Sequence, residues 1–265
     1  MGVIALLTDF GVDDPYVGVM KGVILSINPN AIIVDITHSV GKYQVLQGAL
    51  ILKSFYKYFP KGTIFTVIVD PGVGSVRRAI AIRTSSYVFI GPDNGVLTPA
   101  AFDDGIIDVY EIKKYTLPVV SRTFHGRDVF APVAAYISKG VPIEDVGGRI
   151  SVDSIVTIEV SSAEVRSGEV IGKVIYIDSF GNAVTNIYPN NLRSLGIDEG
   201  GLVNVEVGGV HYRIPWVKAY SDVKQGEPLI ITNSFNYIEL SVNQGNASKT
   251  LKLEIGSEIV VKPCR

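Results

Sequence analysis

The chain has 265 residues, 47% hydrophobic and 19% charged, with 27 Gly and 13 Pro. That composition excludes a disordered protein and leaves room for one large or two ordinary domains. A formal net charge of -2 excludes a phosphate-tracking nucleic-acid surface and points to a small partner. The single cysteine, Cys264, excludes internal disulfides and a cysteine-based metal cluster. No apolar stretch reaches membrane-spanning length, and the opening GVIALLTDF reads as a strand without a basic region or cleavage site. A cytoplasmic chain without membrane contact is expected.

Val3 to Leu7 is a continuous apolar run that predicts a central strand, and it ends in Thr8-Asp9-Phe10-Gly11. Asp13-Asp14-Pro15 predicts a helix start with an Asp cap and Pro15 at the first helical position. Val17, Met20, Val23, Ile24 and Ile27 carry the apolar face as far as Asn28-Pro29. Ile32 to Ile36 is the next strand, followed by a helix within Gln44 to Tyr58. Thr66 to Val69 then delivers Asp70 into the glycine loop Asp70-Pro71-Gly72-Val73-Gly74-Ser75. This β-α-β-α-β alternation predicts parallel strands covered by helices. Two short strands, Ala79 to Arg83 and Tyr87 to Ile90, precede the turn Gly91-Pro92-Asp93-Asn94-Gly95, and SRTFHGRD (Ser121 to Asp128) leads into a helix from about Val129 to Ser138.

From Gly168 the texture changes to short alternating strands with almost no helix. Val170 to Ile177, Ala183 to Ile187, Val203 to Val207, Val210 to Ile214, Leu229 to Thr232, Tyr237 to Val242 and Glu258 to Val261 are the candidates, with Gly208-Gly209 as a hairpin turn. The expected organisation is α/β plus all-β: a mixed, largely parallel sheet sandwiched by helices over residues 1–160, and a small β-barrel over 168–265.

Open α/β sheets place ligand chemistry at the carboxyl ends of their strands, and Asp9 and Asp70 both stand there. Gly72 and Gly74 let the loop fold back and set Arg77, seven residues on, beside Asp70; a plain turn with solvated arginines is the alternative. Of the three histidines, His211 alternates in a barrel strand, and His38 suits a structural hydrogen bond at least as well as catalysis. His125, between Phe124 and Gly126 at a loop-to-helix entry, can face a pocket or simply open the helix. No histidine spacing fits a metal site. Without a phosphate-binding motif after the first strand, Asp9 suggests ribose recognition in a nucleoside-like ligand, or else a turn cap. The second domain carries two polar clusters, Asp178-Ser179-Phe180-Gly181-Asn182 and Asn233-Ser234-Phe235-Asn236 followed by Glu239.

TDFG-x-D-D-P-Y-V-G-x-M-K-G, D-x-T-H, V-D-P-G-V-G-S-x-R-R, P-D-N-G, F-H-G-R-D-x-F-A-P and D-x-F-G-N-x-x-T-N occur in this order from residue 3 to about 247. Together they closely resemble the S-adenosylmethionine hydroxide adenosyltransferases, relatives of the halogenases that attack the same molecule. The resemblance implies hydrolysis of S-adenosyl-L-methionine to adenosine and methionine, by a homotrimer with sites between subunits. It implies Asp70, Arg77 and His125 as the catalytic set and Asp9 and Asp14 on the ribose hydroxyls. Asp178, Ser234 and Glu239 would then hold the methionine amine and carboxylate, Asn182 the adenine, with Phe180 and Phe235 flanking the purine or packing in the core. No metal or cofactor is implied beyond the substrate, and adenosine is an expected co-purifying ligand. Asn236 stands where the family often has glycine, and Asn tolerates the left-handed backbone such a turn needs. In the halide-using relatives an aromatic replaces the acid matching Asp70 and a serine matches Gly126. Two other readings remain at this level, a halide-using adenosyl transferase and a non-catalytic binder of S-adenosylmethionine or adenosine.

Overall fold

A computed structural model describes residues 2–159 and 161–264, and their contacts divide the chain into two units, 1–159 and 160–265. The first unit is built on a seven-stranded sheet in the order β2-β1-β3-β5-β4-β6-β7. Its strands are β1 (Val3–Thr8), β2 (Ile32–Thr37), β3 (Ile64–Ile68), β4 (Ala79–Thr84), β5 (Val88–Pro92), β6 (Ile106–Ile112) and β7 (Gly147–Ile150). β2, β1, β3 and β5 run parallel, while β4, β6 and β7 complete a mixed sheet by antiparallel pairing.

The sheet is buried on both faces because its central strands are apolar at nearly every position, the buried Thr8 and Thr66 being the exceptions in β1 and β3. Ile4 and Leu6 of β1 point into the core under helices α1 (Tyr16–Ile27) and α4 (Ala131–Ser138). Ala5 and Leu7 point into the core under α2 (Val45–Phe55) and α3 (Thr98–Asp103). This is the period-two alternation of a strand with core on both sides.

Three expectations change in this unit. Pro15 lies one position ahead of α1 rather than inside it, and no side chain caps the helix; the Pro15 carbonyl accepts the first helical bond, from Val19 N–H. The helical stretch beyond Gln44 tightens to a 3₁₀ turn at Tyr56–Tyr58. Sequence reading also missed α3, β6 and β7.

The second unit holds β8 (Glu164–Arg166), β9 (Glu169–Ile177), β10 (Ala183–Thr185), β11 (Leu202–Val207), β12 (Val210–Val217), β13 (Pro228–Thr232), β14 (Ile238–Val242) and β15 (Glu258–Pro263). Seven of these close into a barrel, because β9 pairs with both β15 and β10; β8 hangs on β9 outside the ring. Closure removes the exposed edges an open sheet of this size would carry. Inward positions such as Val203, Val205, Ile214, Trp216 and Ile230 form the core. Gly208 and Gly209 turn the β11–β12 hairpin with φ of 55° and 78°, as a two-residue turn of this hand requires. Asn236 takes φ 63°, the left-handed conformation expected of it. β8 and two short helices, α5 (Pro189–Arg193) and α6 (Ala247–Thr250), were not foreseen.

Candidate active site

Parallel pairing sets the floor of the site. β1 and β3 are in register through Thr8 opposite Ile68, and Asp9 N–H donates to the Ile68 carbonyl. The chains therefore leave the sheet side by side, one carrying Asp9 and the other Asp70.

The loop after β3 folds back through successive turns, Val73 N–H to the Asp70 carbonyl and Ser75 N–H to the Gly72 carbonyl. Gly74 has φ 76°, and a Cβ there would lie 2.2 Å from the Arg122 carbonyl oxygen. Only glycine lets this loop press against the backbone of the segment that carries His125.

Arg77 is the hub of the contact. Its Nε–H lies 3.0 Å from both Asp70 carboxylate oxygens, and Nη2 donates to Asp70 Oδ2 at 2.5 Å and to His125 Nδ1 at 2.7 Å. The guanidinium sits 5.3 Å from the ring centre of Phe130, which is fully buried. The Asp70 and Arg77 side chains are 5% and 10% exposed, so the pair is shielded from water. A guanidinium can only donate. The Nδ1 lone pair of His125 is thereby occupied, and the neutral ring carries its hydrogen on Nε2. Burial, then the charge of Arg77, holds the His125 pKa below the ordinary imidazole range, against the opposing pull of Asp70 and Asp128.

His125 precedes a wide π-type turn at Gly126–Phe130, closed by Ala131 N–H on the Gly126 carbonyl, a distortion common at functional sites. Asp128 of that turn is fully buried and fixes the loop from behind. It accepts from Ser121 N–H at 2.7 Å and from Arg127 Nε at 2.5 Å. Burial alone would raise the Asp128 pKa, but Arg127 and the Ser121 N–H bring it below the usual carboxylate value.

Asp9, Asp70 and His125 open into one cleft of about 430 Å³, a size usual for small-molecule sites. Asp9 is buried, and its Oδ2 accepts from Tyr43 N–H at 2.9 Å. Lys42 Nζ donates to the Asp9 carbonyl at 2.7 Å. Phe10, Tyr16 and Phe124 form an aromatic wall. Asp14 is exposed on the loop ahead of α1 and is not among the residues lining the cleft. His38 is buried outside it, bonded through Nδ1 to Thr8 Oγ1 at 2.9 Å, with Nε2 lying 3.1 Å from Asp35 Oδ1. It braces the Asp9 loop: Thr8 Oγ1 accepts from Phe10 N–H and the His38 carbonyl from Gly11 N–H.

The second unit gathers its own polar cluster. Asp178 Oδ1 accepts from the N–H groups of Phe180 and Asn182, and Oδ2 from Asn182 Nδ2, all at 2.9 Å. Glu239 is buried, with Oε1 accepting from Tyr220 and Ser241 hydroxyls and Oε2 from Asn233 Nδ2. Burial, Glu239 and Asp178 together push the Tyr220 hydroxyl pKa up, so Asp178 and Glu239 lie within electrostatic reach of one group. Phe180 is 75% exposed, and Ser234 and Phe235 are exposed as well. The structure thus brings Asp70, Arg77 and His125 into contact with one another, sets Asp9 in the cleft that Asp70 and His125 also line, and joins Asp178 to Asn182 in the other unit.

Sequence reasoning missed Lys42, Tyr43, Ser121 and Arg127 as cleft residues. No local pattern around Lys42 or Tyr43 marks either as a partner of Asp9, which lies more than thirty residues away in the chain.

Residues 4–147 match the family model for the SAM hydroxide adenosyltransferase N-terminal domain, and residues 172–260 match its C-terminal domain. The chain is similar to a protein of Thermus thermophilus named (R)-S-adenosyl-L-methionine hydrolase, 34% identical over 96% of each chain. It is also similar to a fluorinase of Nocardia brasiliensis, 29% identical over 98% of this chain and 96% of that one. A crystal structure of an uncharacterized conserved protein from Thermotoga maritima superposes with a TM-score of 0.92 at 41% identity, covering 99% of this chain and 100% of that one.

Proposed function

The chain belongs to the SAM hydroxide adenosyltransferase family, matched in both of its domains, and from that premise we propose that it hydrolyses S-adenosyl-L-methionine to adenosine and L-methionine. The observation that carries the reading is the Asp70–Arg77–His125 contact opening into a cleft that Asp9 also lines. A non-catalytic binder has no need of a shielded ion pair joined to an imidazole at the cleft wall.

Attack at the 5′ carbon expels a neutral thioether from a sulfonium, so the leaving group needs no acid. What the reaction needs is a water held in line and an acceptor for its proton as the new bond forms. Arg77 cannot accept a proton, and the His125 Nδ1 lone pair is already taken. Asp70 retains acceptor capacity on Oδ1, which receives one bond from Arg77 Nε. In our scheme Asp70 takes the proton, Arg77 holds the carboxylate in place, and His125 offers Nε2–H to the water oxygen. Asp9 suits the ribose hydroxyls, and Asp178 with Asn182 and Ser234 the remainder of the substrate. Glu239, whose oxygens are already bonded within the barrel, shapes that region. Substrate and water suffice for this scheme, and purified protein is expected to carry adenosine.

The relatives' names specify the (R) configuration at the sulfonium. Both epimers lose that stereocentre when the C–S bond breaks, so products alone do not report which one reacts. The test is to incubate the protein with each resolved epimer and follow substrate loss together with adenosine and methionine. Absence of both products from both epimers would end the proposal.

One pH prediction follows. Protonating His125 places a hydrogen on Nδ1 facing Arg77 and breaks their contact. Because burial and Arg77 lower its pKa, the acid limb of kcat/KM is expected below about pH 6.5. An acid limb centred at pH 7 or above would remove His125 as the titrating group.

We further propose a cytoplasmic homotrimer in which neighbouring subunits complete each site. Its support is the division of candidate ligand residues between two units of the chain, together with the family resemblance. Inactive Asp9→Ala and Asp178→Ala subunits, dissociated and mixed, are expected to regain activity. No recovery in verified mixed trimers would place each site within one chain, a monomeric native mass would exclude the trimer, and recovery with membranes would exclude the compartment.

A further inference from the structure

We infer that the aromatic wall of Phe10, Tyr16 and Phe124 receives the positive charge of the substrate's sulfonium, with Tyr16 supplying the open ring face. The inference rests on the hydrolase reading and adds to it the group that tells the charged substrate from its neutral thioether counterpart.

Asp70 is neutralised by Arg77, and the buried Asp128 behind the wall by Arg127. Lys42 places its ammonium on the backbone carbonyl of Asp9, and the Asp9 carboxylate accepts from Tyr43 N–H. A trialkyl sulfonium has no N–H or O–H to donate, and the cleft carboxylates are already engaged, Asp70 by Arg77 and Asp9 by the Tyr43 N–H. What it lacks is a diffuse negative surface, and the face of an aromatic ring is one.

The three rings are held as a unit. Their centroids are 5.8 Å (Phe10–Tyr16), 5.9 Å (Phe10–Phe124) and 5.2 Å (Tyr16–Phe124) apart, the last two pairs edge to face at 73° and 79°. Rings this close leave no gap for a cation between them, so the charge must sit on an outer face. Arg127 already occupies a face of Phe124, its guanidinium carbon 5.2 Å from the ring centre. Tyr16, at the first turn of α1, is 44% exposed and lines the cleft. The wall also adjoins the reacting groups: Phe124 precedes His125 in the chain, and a Cβ on Gly126 would lie 3.2 Å from both Phe10 and Phe124. When the C–S bond breaks the charge disappears, and the wall loses its hold on the methionine thioether.

The test compares S-adenosylmethionine, as substrate, with S-adenosylhomocysteine, its neutral thioether analogue, as competitive inhibitor. In Tyr16→Leu, kcat/KM for the sulfonium is expected to fall about tenfold. The Ki of the thioether should move less than about threefold, because leucine keeps the apolar contact but not the ring face. Tyr16→Phe should restore the preference, since the ring and not the hydroxyl is at work, and Phe10→Leu should reduce it in the same direction as Tyr16→Leu. Equal losses for charged and neutral ligands in both leucine variants would overturn the inference and leave the wall as apolar packing. If the wild-type protein consumes no S-adenosylmethionine, it is the hydrolase reading that fails, and the two failures are thereby distinct.

Discussion

Replacing Arg77 by methionine is expected to lower turnover by roughly two or more orders of magnitude, and Arg77→Lys by nearly as much. The reason is geometric. One planar guanidinium holds both Asp70 oxygens and His125 Nδ1 at once, through Nε–H and the two Nη2 hydrogens. A lysine ammonium is a single point of donation and cannot span a carboxylate and an imidazole in that fixed fork. Asp70→Asn and His125→Ala should reach a similar floor, and the double variants should be far from additive, because each single change already dismantles the unit. Stability must be followed beside turnover. Removing Arg77 alone leaves a shielded carboxylate without its partner, a loss of about 3–5 kcal/mol when such pairs are broken. The Asp70→Asn, Arg77→Met double variant removes both charges and should recover much of that stability while remaining inactive. Recovery of turnover along with stability would show that the contact supports folding and not catalysis. Wild-type turnover in His125→Ala would remove the imidazole from the scheme.

What could be read from the sequence was what depends on neighbours in the chain. The apolar runs ending in Asp9 and Asp70 announce strands that stop at acids, and parallel pairing in register then sets those acids side by side. Gly72 and Gly74 announced a loop able to return Arg77 to Asp70, and the returned loop presses on Arg122 as that freedom allows. Lys42 and Tyr43 were not legible because they reach Asp9 across more than thirty residues, once β2 has laid its far end next to β1. Tyr43 does so with φ 65°, a conformation no tyrosine advertises. β6 was missed because Asp108 and Glu111 interrupt its apolar pattern, although Asp108 is buried against the side chains of Arg83 and Arg149. The family resemblance offers Glu239 as a ligand group for the methionine. The barrel instead surrounds it with Tyr220, Ser241 and Asn233, and no local pattern carries that information.

In oxygen-18 water, the label is expected in the 5′ hydroxyl of adenosine and not in methionine, with turnover indifferent to chloride or fluoride beyond ordinary ionic-strength effects. The alternative nucleophile is a halide, which the fluorinase relatives make a fair comparison. A halide must shed its hydration to attack carbon, and that cost is recovered only where the site supplies donors and positive potential. Here the group beside the proposed water is the Asp70 carboxylate, whose charge repels an anion, and the nearest cation, Arg77, is already committed to that carboxylate and to His125. Gly126 contributes no side-chain donor, and its neighbours leave none room: a Cβ there would meet Met20 Sδ, Phe10 and Phe124 at 3.2 Å. Water is neutral, arrives at little desolvation cost, and can give its proton to the same carboxylate that excludes the anion. Label in methionine would move the attack away from the 5′ carbon, and a substantial yield of 5′-halo-adenosine would replace water by halide as the nucleophile.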